Sequence, residues 1–310
     1  MAGMKRFVVI VVAIVILVVI AVLVAAPDTR RLTGAVRRTS PWDFVPLSEG
    51  LTEMELSGPK SGEPVILVHG MSVPMFDWDA QVPALSNRGY RVLRYNQYGR
   101  GLSHRPRGDY DLARYAGQLE EILASQGWDS AHIVAHSMGG IVAAAFAAEH
   151  PESVDSLILI APALHMAEDN AGIAMVRLPI LGDLLAKTAL TGILAGRAEE
   201  LFMAAELADV PRAMEAFRRQ TRYRGFTRSV KSLFRGDVVG DMGGTYGRLG
   251  GLPVLLIHGS RDESIPEDHY ARLTTLIPDM ETVVLSDIGH MPNIEAADEV
   301  NRLIAGFLSN

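Results

Sequence analysis

The chain has 310 residues, a formal net charge of −7 and no cysteine. This length accommodates one large α/β domain with insertions and a sizeable core. The acidic balance argues against a general nucleic-acid binder. The absence of thiols excludes disulfides, thiolate metal sites and a cysteine nucleophile, so any nucleophile here is oxygen or nitrogen.

The first feature in chain order is the run Phe7 to Ala26, twenty residues without a charge or a hydroxyl. As a helix it is about 30 Å long, enough to span a bilayer. It also reads as a cleaved secretory signal, with Lys5 and Arg6 as a basic start and Val24-Ala25-Ala26 as small residues at its end. The run exceeds the usual signal core of about 7 to 15 residues, and Pro27 follows the candidate cleavage site, which favours an uncleaved membrane anchor over residues 1–26. Lys5 and Arg6 precede the run while Arg30, Arg31, Arg37 and Arg38 follow it, so the positive-inside rule gives only a slight preference for a cytoplasmic main domain. Residues 27–50, rich in Arg, Pro, Gly and Ser without a sustained period, read as a juxtamembrane linker. Its basic residues either rest on anionic headgroups or are simply solvated.

From residue 51 onward, short β-branched runs alternate with helical stretches, the pattern of a mostly parallel sheet covered on both faces. Strands are expected at Val65–Val68, Val92–Tyr95, Ile133–Ala135, Leu157–Ile160, Val254–Ile257 and Thr282–Leu285, with Thr52–Leu56 as an antiparallel edge strand. Helices are expected at Asp77–Asn87, Leu112–Ser125, Gly139–Glu149, Pro266–Leu276 and Ala296–Leu308. Residues 164–250 break the alternation, reading as several short helices rich in Leu, Ala and Met, punctuated by Gly and Pro. They read as an all-helical insertion between two parts of an α/β core, 51–163 and 251–310.

The strongest local signal is Ile133-Val134-Ala135-His136-Ser137-Met138-Gly139-Gly140, a strand running through a serine directly into an Ala-rich helix. Small residues two before and two after the serine, here Ala135 and Gly139, let strand and helix approach at a strained turn that exposes the hydroxyl. A serine hydroxyl needs a base, and the base needs an acid to hold its tautomer. Val254 to His258 leads into a turn carrying Asp262, and Thr282 to Leu285 leads into a loop carrying His290. The chain order is therefore Ser, Asp, His, each just beyond the carboxyl end of a strand. The remaining histidines, His136 among them, read as structural or exposed, and the neighbouring acids Glu263, Asp287, Glu267 and Asp268 have less suitable settings. Two main-chain N–H donors for an oxyanion are expected from Met138 at the start of a helix and from Met71 in the turn His69-Gly70-Met71-Ser72.

These strings (VILVHGMSVPMFDW, GYRVLRYNQYGRGLS, HIVAHSMGGIVAAAFAAEHP, LILIAP, PVLLIHGSRDESIP and IGHMPNIE) resemble, in this order, the α/β-hydrolase superfamily over roughly residues 50 to 308. The resemblance implies a mostly parallel sheet flanked by helices with a helical cap, Ser137 as nucleophile, Asp262 as acid, His290 as base, and Met71 and Met138 as oxyanion donors. There are two departures: Ala135 replaces the usual first glycine of the elbow, and Asn96 stands where relatives often carry aspartate. A serine nucleophile tells against the dehalogenase and epoxide hydrolase branches. An N-terminal anchor on this core is similar to membrane-bound monoacylglycerol lipases and esterases. The implied activity is hydrolysis of a carboxylic ester with an apolar acyl group, without metal or organic cofactor. The same triad also suits carbon–carbon bond or amide hydrolysis, and a silent membrane-tethered binding protein is the reading from another class.

Two features of the cap admit two readings each. The basic residues Arg212, Arg218, Arg219, Arg222, Arg224, Arg228, Lys231 and Arg235, opposed within their span by Glu215 alone, either meet headgroups or form solvated helical faces. The apolar set Met166, Met175, Leu178, Ile180, Leu184, Leu185, Phe202 and Met203 either lines a pocket or packs on the sheet.

Overall fold

The computed structural model describes residues 28–71, 73–166, 171–178, 181–204 and 210–309, together with Met4, Arg6, Val9, Ile10 and Ala13. The expected anchor over residues 7–26 therefore lies almost wholly outside the described residues. Among the described residues, no helix is long and apolar enough to cross a membrane.

Eight strands form one sheet in the order β1-β2-β4-β3-β5-β6-β7-β8. They are β1 (Asp43–Leu47), β2 (Gly50–Ser57), β3 (Pro64–Val68), β4 (Arg91–Tyr95), β5 (Ala131–His136), β6 (Val154–Ile160), β7 (Val254–Gly259) and β8 (Glu281–Leu285). The β1–β2 and β2–β4 pairings are antiparallel and the remainder parallel. The stretch expected as an edge strand, Thr52–Leu56, is thus antiparallel but internal. The edge belongs to β1, from a segment whose sequence reads as linker. Pro46 conceals β1 in the sequence, and an edge strand tolerates it because a missing N–H matters least there.

The helices are α1 (Gly34–Arg37), α2 (Gln81–Ser86), α3 (Leu112–Ser125), α4 (Met138–Glu149), α5 (Ala171–Arg177), α6 (Leu181–Thr188), α7 (Leu190–Ala204), α8 (Val210–Thr221), α9 (Phe226–Arg235), α10 (Gly243–Tyr246), α11 (Glu267–Leu276), α12 (Pro292–Glu295) and α13 (Ala297–Leu308). Helix α3 starts at Asp111, whose carboxylate accepts the N–H of Arg114 at 2.9 Å, an N-cap worth about 1 kcal/mol. Helix α4, MGGIVAAAFAAE, is buried along most of its length and has no polar face, as a central core helix must be. One core cluster joins the sheet face under α3 and α4 to cap residues such as Phe217, Phe226 and Val230. A second lies on the opposite face, against α2 and α13.

Between β6 and β7 the described chain is helical, in α5 to α10. Three residues of its basic run form ion pairs within the cap, and Arg219 and Arg228 tie the cap to the rest of the chain. Arg218 pairs with Glu199, and Lys231 and Arg235 both pair with Asp183. Arg228 donates to the carbonyls of Arg105 and Pro106, at 2.9 Å each. The segment before β1 is also engaged, since Arg219 donates to Thr39 Oγ1 at 2.6 Å and Ser40 Oγ donates to Glu53 at 2.6 Å.

Candidate active site

Ser137 joins β5 to α4 with φ 53° and ψ −121°, a strained conformation for a side chain with a Cβ, costing about 1–3 kcal/mol. Its N–H donates to Ile160 O at 3.0 Å, and its carbonyl accepts from Gly140 at 2.9 Å and Ala163 at 3.2 Å. These bonds hold the turn, and Ser137 itself is half-buried. The two small flanking residues are not equivalent. A Cβ on Gly139 would lie 2.4 Å from Val68 O and 2.7 Å from His69 O, so only glycine fits there. Ala135 is wholly buried within β5 and its methyl is accommodated, which is why the departure from a leading glycine is tolerated.

The three residues singled out by the sequence converge. His290 Nε2 lies 3.1 Å from Ser137 Oγ, and its Nδ1 lies 2.8 Å from Asp262 Oδ2. The Asp262 side chain is 1 % exposed. Its Oδ1 accepts the N–H groups of Ser264 at 2.8 Å and Ile265 at 3.0 Å. Its Oδ2 also accepts the Tyr270 hydroxyl, at 2.6 Å. Burial alone would raise the Asp262 pKa. The hydrogen bond and charge of His290, with the Tyr270 and Ile265 donors, outweigh it and bring the carboxyl down to about 2. Asp262 is therefore an anion throughout the neutral range, able to fix the His290 tautomer and balance an imidazolium.

Met138 is the first residue of α4, where an N–H has no intrahelical acceptor. The Met71 N–H belongs to the Gly70–Met71 peptide, and that peptide is oriented by His69. The ring Nδ1–H of His69 donates to Gly70 O at 2.6 Å, while its Nε2 accepts the Gln97 N–H at 3.0 Å. Because C=O and N–H of a trans peptide point oppositely, fixing Gly70 O fixes the direction of the Met71 N–H. His69 is neutral, its pKa lowered to about 4 by complete burial and by the charges of Arg100 and His136. The Met71 carbonyl is held in turn by Arg100, whose Nε donates to it at 2.6 Å and whose Nη1 donates to Ser229 Oγ of α9 at 3.1 Å. Arg100 is wholly buried, and among the described residues no carboxylate pairs with it. A Cβ on Gly70 would meet Ser137 Cβ at 3.2 Å and His136 Nδ1 at 3.3 Å, which shows how closely this turn approaches the elbow.

Sequence reasoning overlooked several residues. His136, which reads there as merely structural or exposed, is buried against the edge of Trp78 and spans two loops. Its Nδ1 lies 2.8 Å from Asp77 Oδ2, and its Nε2 lies 2.9 Å from the main-chain oxygen of His290. Asn293 Nδ2 donates to Asp77 O at 2.8 Å and Oδ1 at 2.9 Å. Tyr270 stacks on His258 with ring centroids 3.9 Å apart, and burial followed by the Asp262 charge raises its pKa. The FDW string alone offers no signal for Asp77. Position 270 is legible only once α11 is placed beside Asp262.

Of the apolar cap set, Met175 and Leu178 are exposed, Leu184 and Leu185 half-buried, and Met166 packs on the main core. Ile180, and the side chains of Phe202 and Met203, lie outside the described residues. A cavity of about 470 Å³ opens between α8 and the turn after β3, lined by residues including Phe76, Asp77, Leu102, Ala213, Ala216 and Ile294. None of Ser137, Asp262 and His290 lines it. The geometry at this site is that of the elbow and its relay, with Ser137 Oγ 3.1 Å from His290 Nε2 and His290 Nδ1 2.8 Å from Asp262 Oδ2.

Known proteins are similar to this chain in sequence and fold. The chain is 30% identical over 258 residues to a 2-hydroxymuconate semialdehyde hydrolase of Pseudomonas putida, covering 80% of this chain and 88% of the relative. It is 26% identical to Lipase 1 of Psychrobacter immobilis, over 78% of this chain and 76% of the relative. Among solved structures, the enol-lactonase of Burkholderia xenovorans LB400 superposes with a TM-score of 0.75 at 21% identity, covering 86% of this chain and 100% of that one. Residues 63–297 match the family described as alpha/beta hydrolase fold, and with that match the chain belongs to the α/β-hydrolase family.

Proposed function

We propose that this protein hydrolyses carboxylic esters with apolar acyl groups through an acyl-enzyme on Ser137. The observation that carries the proposal is the relay of 3.1 Å and 2.8 Å from Ser137 Oγ through His290 to Asp262. Ser137 Oγ attacks the ester carbonyl carbon as its proton passes to His290 Nε2. The tetrahedral oxyanion is met by the N–H groups of Met71 and Met138. Its collapse expels the alkoxide, which takes the proton from His290. A water then loses a proton to His290 and attacks the acyl carbon, releasing the acid and restoring Ser137.

A second reading is supported by the relative named 2-hydroxymuconate semialdehyde hydrolase, namely hydrolytic cleavage of a carbon–carbon bond beside a carbonyl by the same residues. The apolar run over residues 7–26 supports a further part of the proposal, that the N-terminus anchors the enzyme in a membrane.

Labelling by a fluorophosphonate and turnover of short and long acyl esters, compared between wild type and Ser137→Ala, test the nucleophile. Loss of both in the variant is expected, whereas labelling that survives the substitution refutes the assignment. A vinylogous diketone substrate turned over faster than every ester would select the second reading. A wild-type protein that neither labels nor turns over any substrate would point to a silent binding protein.

A further inference from the structure

The segment that follows the apolar run is attached to the cap. Asp28 Oδ2 accepts the N–H groups of Gly225 at 3.0 Å and Thr227 at 3.3 Å, at the start of α9. Arg30 lies beside Tyr223 in a parallel bridge, its N–H donating to Arg222 O at 3.0 Å and its carbonyl accepting from Arg224 at 2.8 Å. Arg224 Nε donates to Thr29 O at 2.9 Å. Ala26 and Asp28 are separated by Pro27 alone, and two residues of extended chain reach about 7 Å at most. The chain from Asp28 is therefore held at the junction of α8 and α9, within tether reach of Ala26.

We infer that the cap is the face this protein turns to a lipid bilayer, with the junction of residues 28–31 and 222–225 seated on anionic headgroups. The inference rests on the anchor reading above. It follows from tether length, since a bilayer-embedded segment ending at Ala26 leaves no slack for the core sheet to face the lipid instead.

Two further observations agree. Arg30, Arg31, Arg222 and Arg224 are exposed at this junction, and none makes an ion pair among the described residues. Exposed cations within roughly 10 Å of an anionic surface are attracted to it. Among the described residues from 28 onward, the large apolar side chains that stand exposed are Met175, Leu178, Leu181, Ile193 and Val284. All but Val284 belong to the cap, in or beside α5 to α7. The amino ends of the strands instead expose Asp129, Glu152, Asp155 and Glu281. An apolar ester dissolved in the bilayer would then meet the cap first.

The natural absence of cysteine permits a clean test on the full chain. Arg224→Cys, Ile193→Cys and Glu152→Cys are each labelled with one fluorophore and added to phosphatidylcholine–phosphatidylserine vesicles carrying shallow nitroxide lipids. Probes at 224 and 193 are expected to be quenched about twofold or more, and the probe at 152 to be unaffected. Flotation of the full chain and of a chain lacking residues 1–26 is read separately. A full chain that does not float overturns the anchor reading, and the orientation with it, as it would if the apolar run packed on its own cap. A full chain that floats with all three probes quenched alike overturns the orientation and leaves the anchor standing.

Discussion

His136 holds His290 by its main chain: His136 Nε2 lies 2.9 Å from the His290 carbonyl oxygen, and the two rings are 5.1 Å apart between centroids. A carbonyl only accepts, so Nε2 carries a proton, and Nδ1 faces the buried Asp77 carboxylate. Burial opposes a charge on His136, but Asp77 and the His290 carbonyl outweigh it and hold its pKa above the ordinary 6.5. Burial likewise opposes charge on Asp77, and His136 and Asn293 outweigh it to hold that pKa below 3.8. Asp77→Ala removes the counter-charge of His136, which must then shed its proton to stay buried, and is expected to cost about 2 kcal/mol of unfolding free energy where the pair is ionised. The contribution of His136 is present in full below 6.5 and lost as pH rises through its raised value. The contribution of Asp77 is present in full above 3.8 and lost as pH falls through its depressed value. The stability gap between wild type and variant is therefore widest between about pH 4 and 6.5 and narrows on either side. Urea titrations across pH check this, and a gap that does not vary with pH contradicts it.

Asp262→Asn removes the anion that fixes the His290 tautomer, and turnover is expected to fall about 10⁴-fold with the fold retained. Tyr270→Phe removes one charge-assisted hydrogen bond, and its expected loss in kcat is about tenfold. With Asp262 at about 2, its titration does not produce the acid limb of an ester pH–rate profile in the neutral range. A limb that moved by whole units in Tyr270→Phe would contradict that separation.

Asn96 is matched to Glu53. Its Nδ2 donates to Glu53 Oε2 at 2.6 Å, and its Oδ1 accepts the Met75 N–H at 2.8 Å. An aspartate at 96 would set two carboxylates against each other in a buried site. Asn96→Asp is expected to lose about 3 kcal/mol, and adding Glu53→Gln to recover part of it, since Glu53 Oε2 also accepts the Leu102 N–H. Additive losses in the double variant would show that the two residues are not coupled.

The elbow predicts an asymmetry between its small residues. Gly139→Ala forces a methyl onto the carbonyls of Val68 and His69 and is expected to abolish soluble, labelled protein. Ala135→Gly removes a methyl and stiffens nothing, at a cost of about 1 kcal/mol. Thermal melts and fluorophosphonate labelling of the two variants provide the comparison.

What the sequence revealed was local and periodic. The central parallel strands β3, β5, β6 and β7 are largely buried runs, α3 has one apolar stripe behind a capping aspartate, and Ser137, Asp262 and His290 each follow a strand within a few residues. The rest depended on contacts between residues distant in the chain. His136 and Asp77 are 59 positions apart, and a histidine next to a nucleophile carries no mark of which way its ring turns. Asn96 reads as a departure from a family pattern until Glu53, from β2, is seen beside it. The stretch before β1 reads as a spacer because the partners of Asp28, Arg30 and Thr39 belong to the cap, nearly two hundred residues later.

The hydrogen bond from His69 to Gly70 bears on how any pH profile of this protein is interpreted. A ring held neutral down to about pH 4 keeps one tautomer under every condition in which an ester assay is normally run. The carbonyl it grips does not swing, and neither does the Met71 N–H on the other side of that peptide. The corner proposed to receive negative charge is thus set when the chain folds, like a cast fitting rather than a valve.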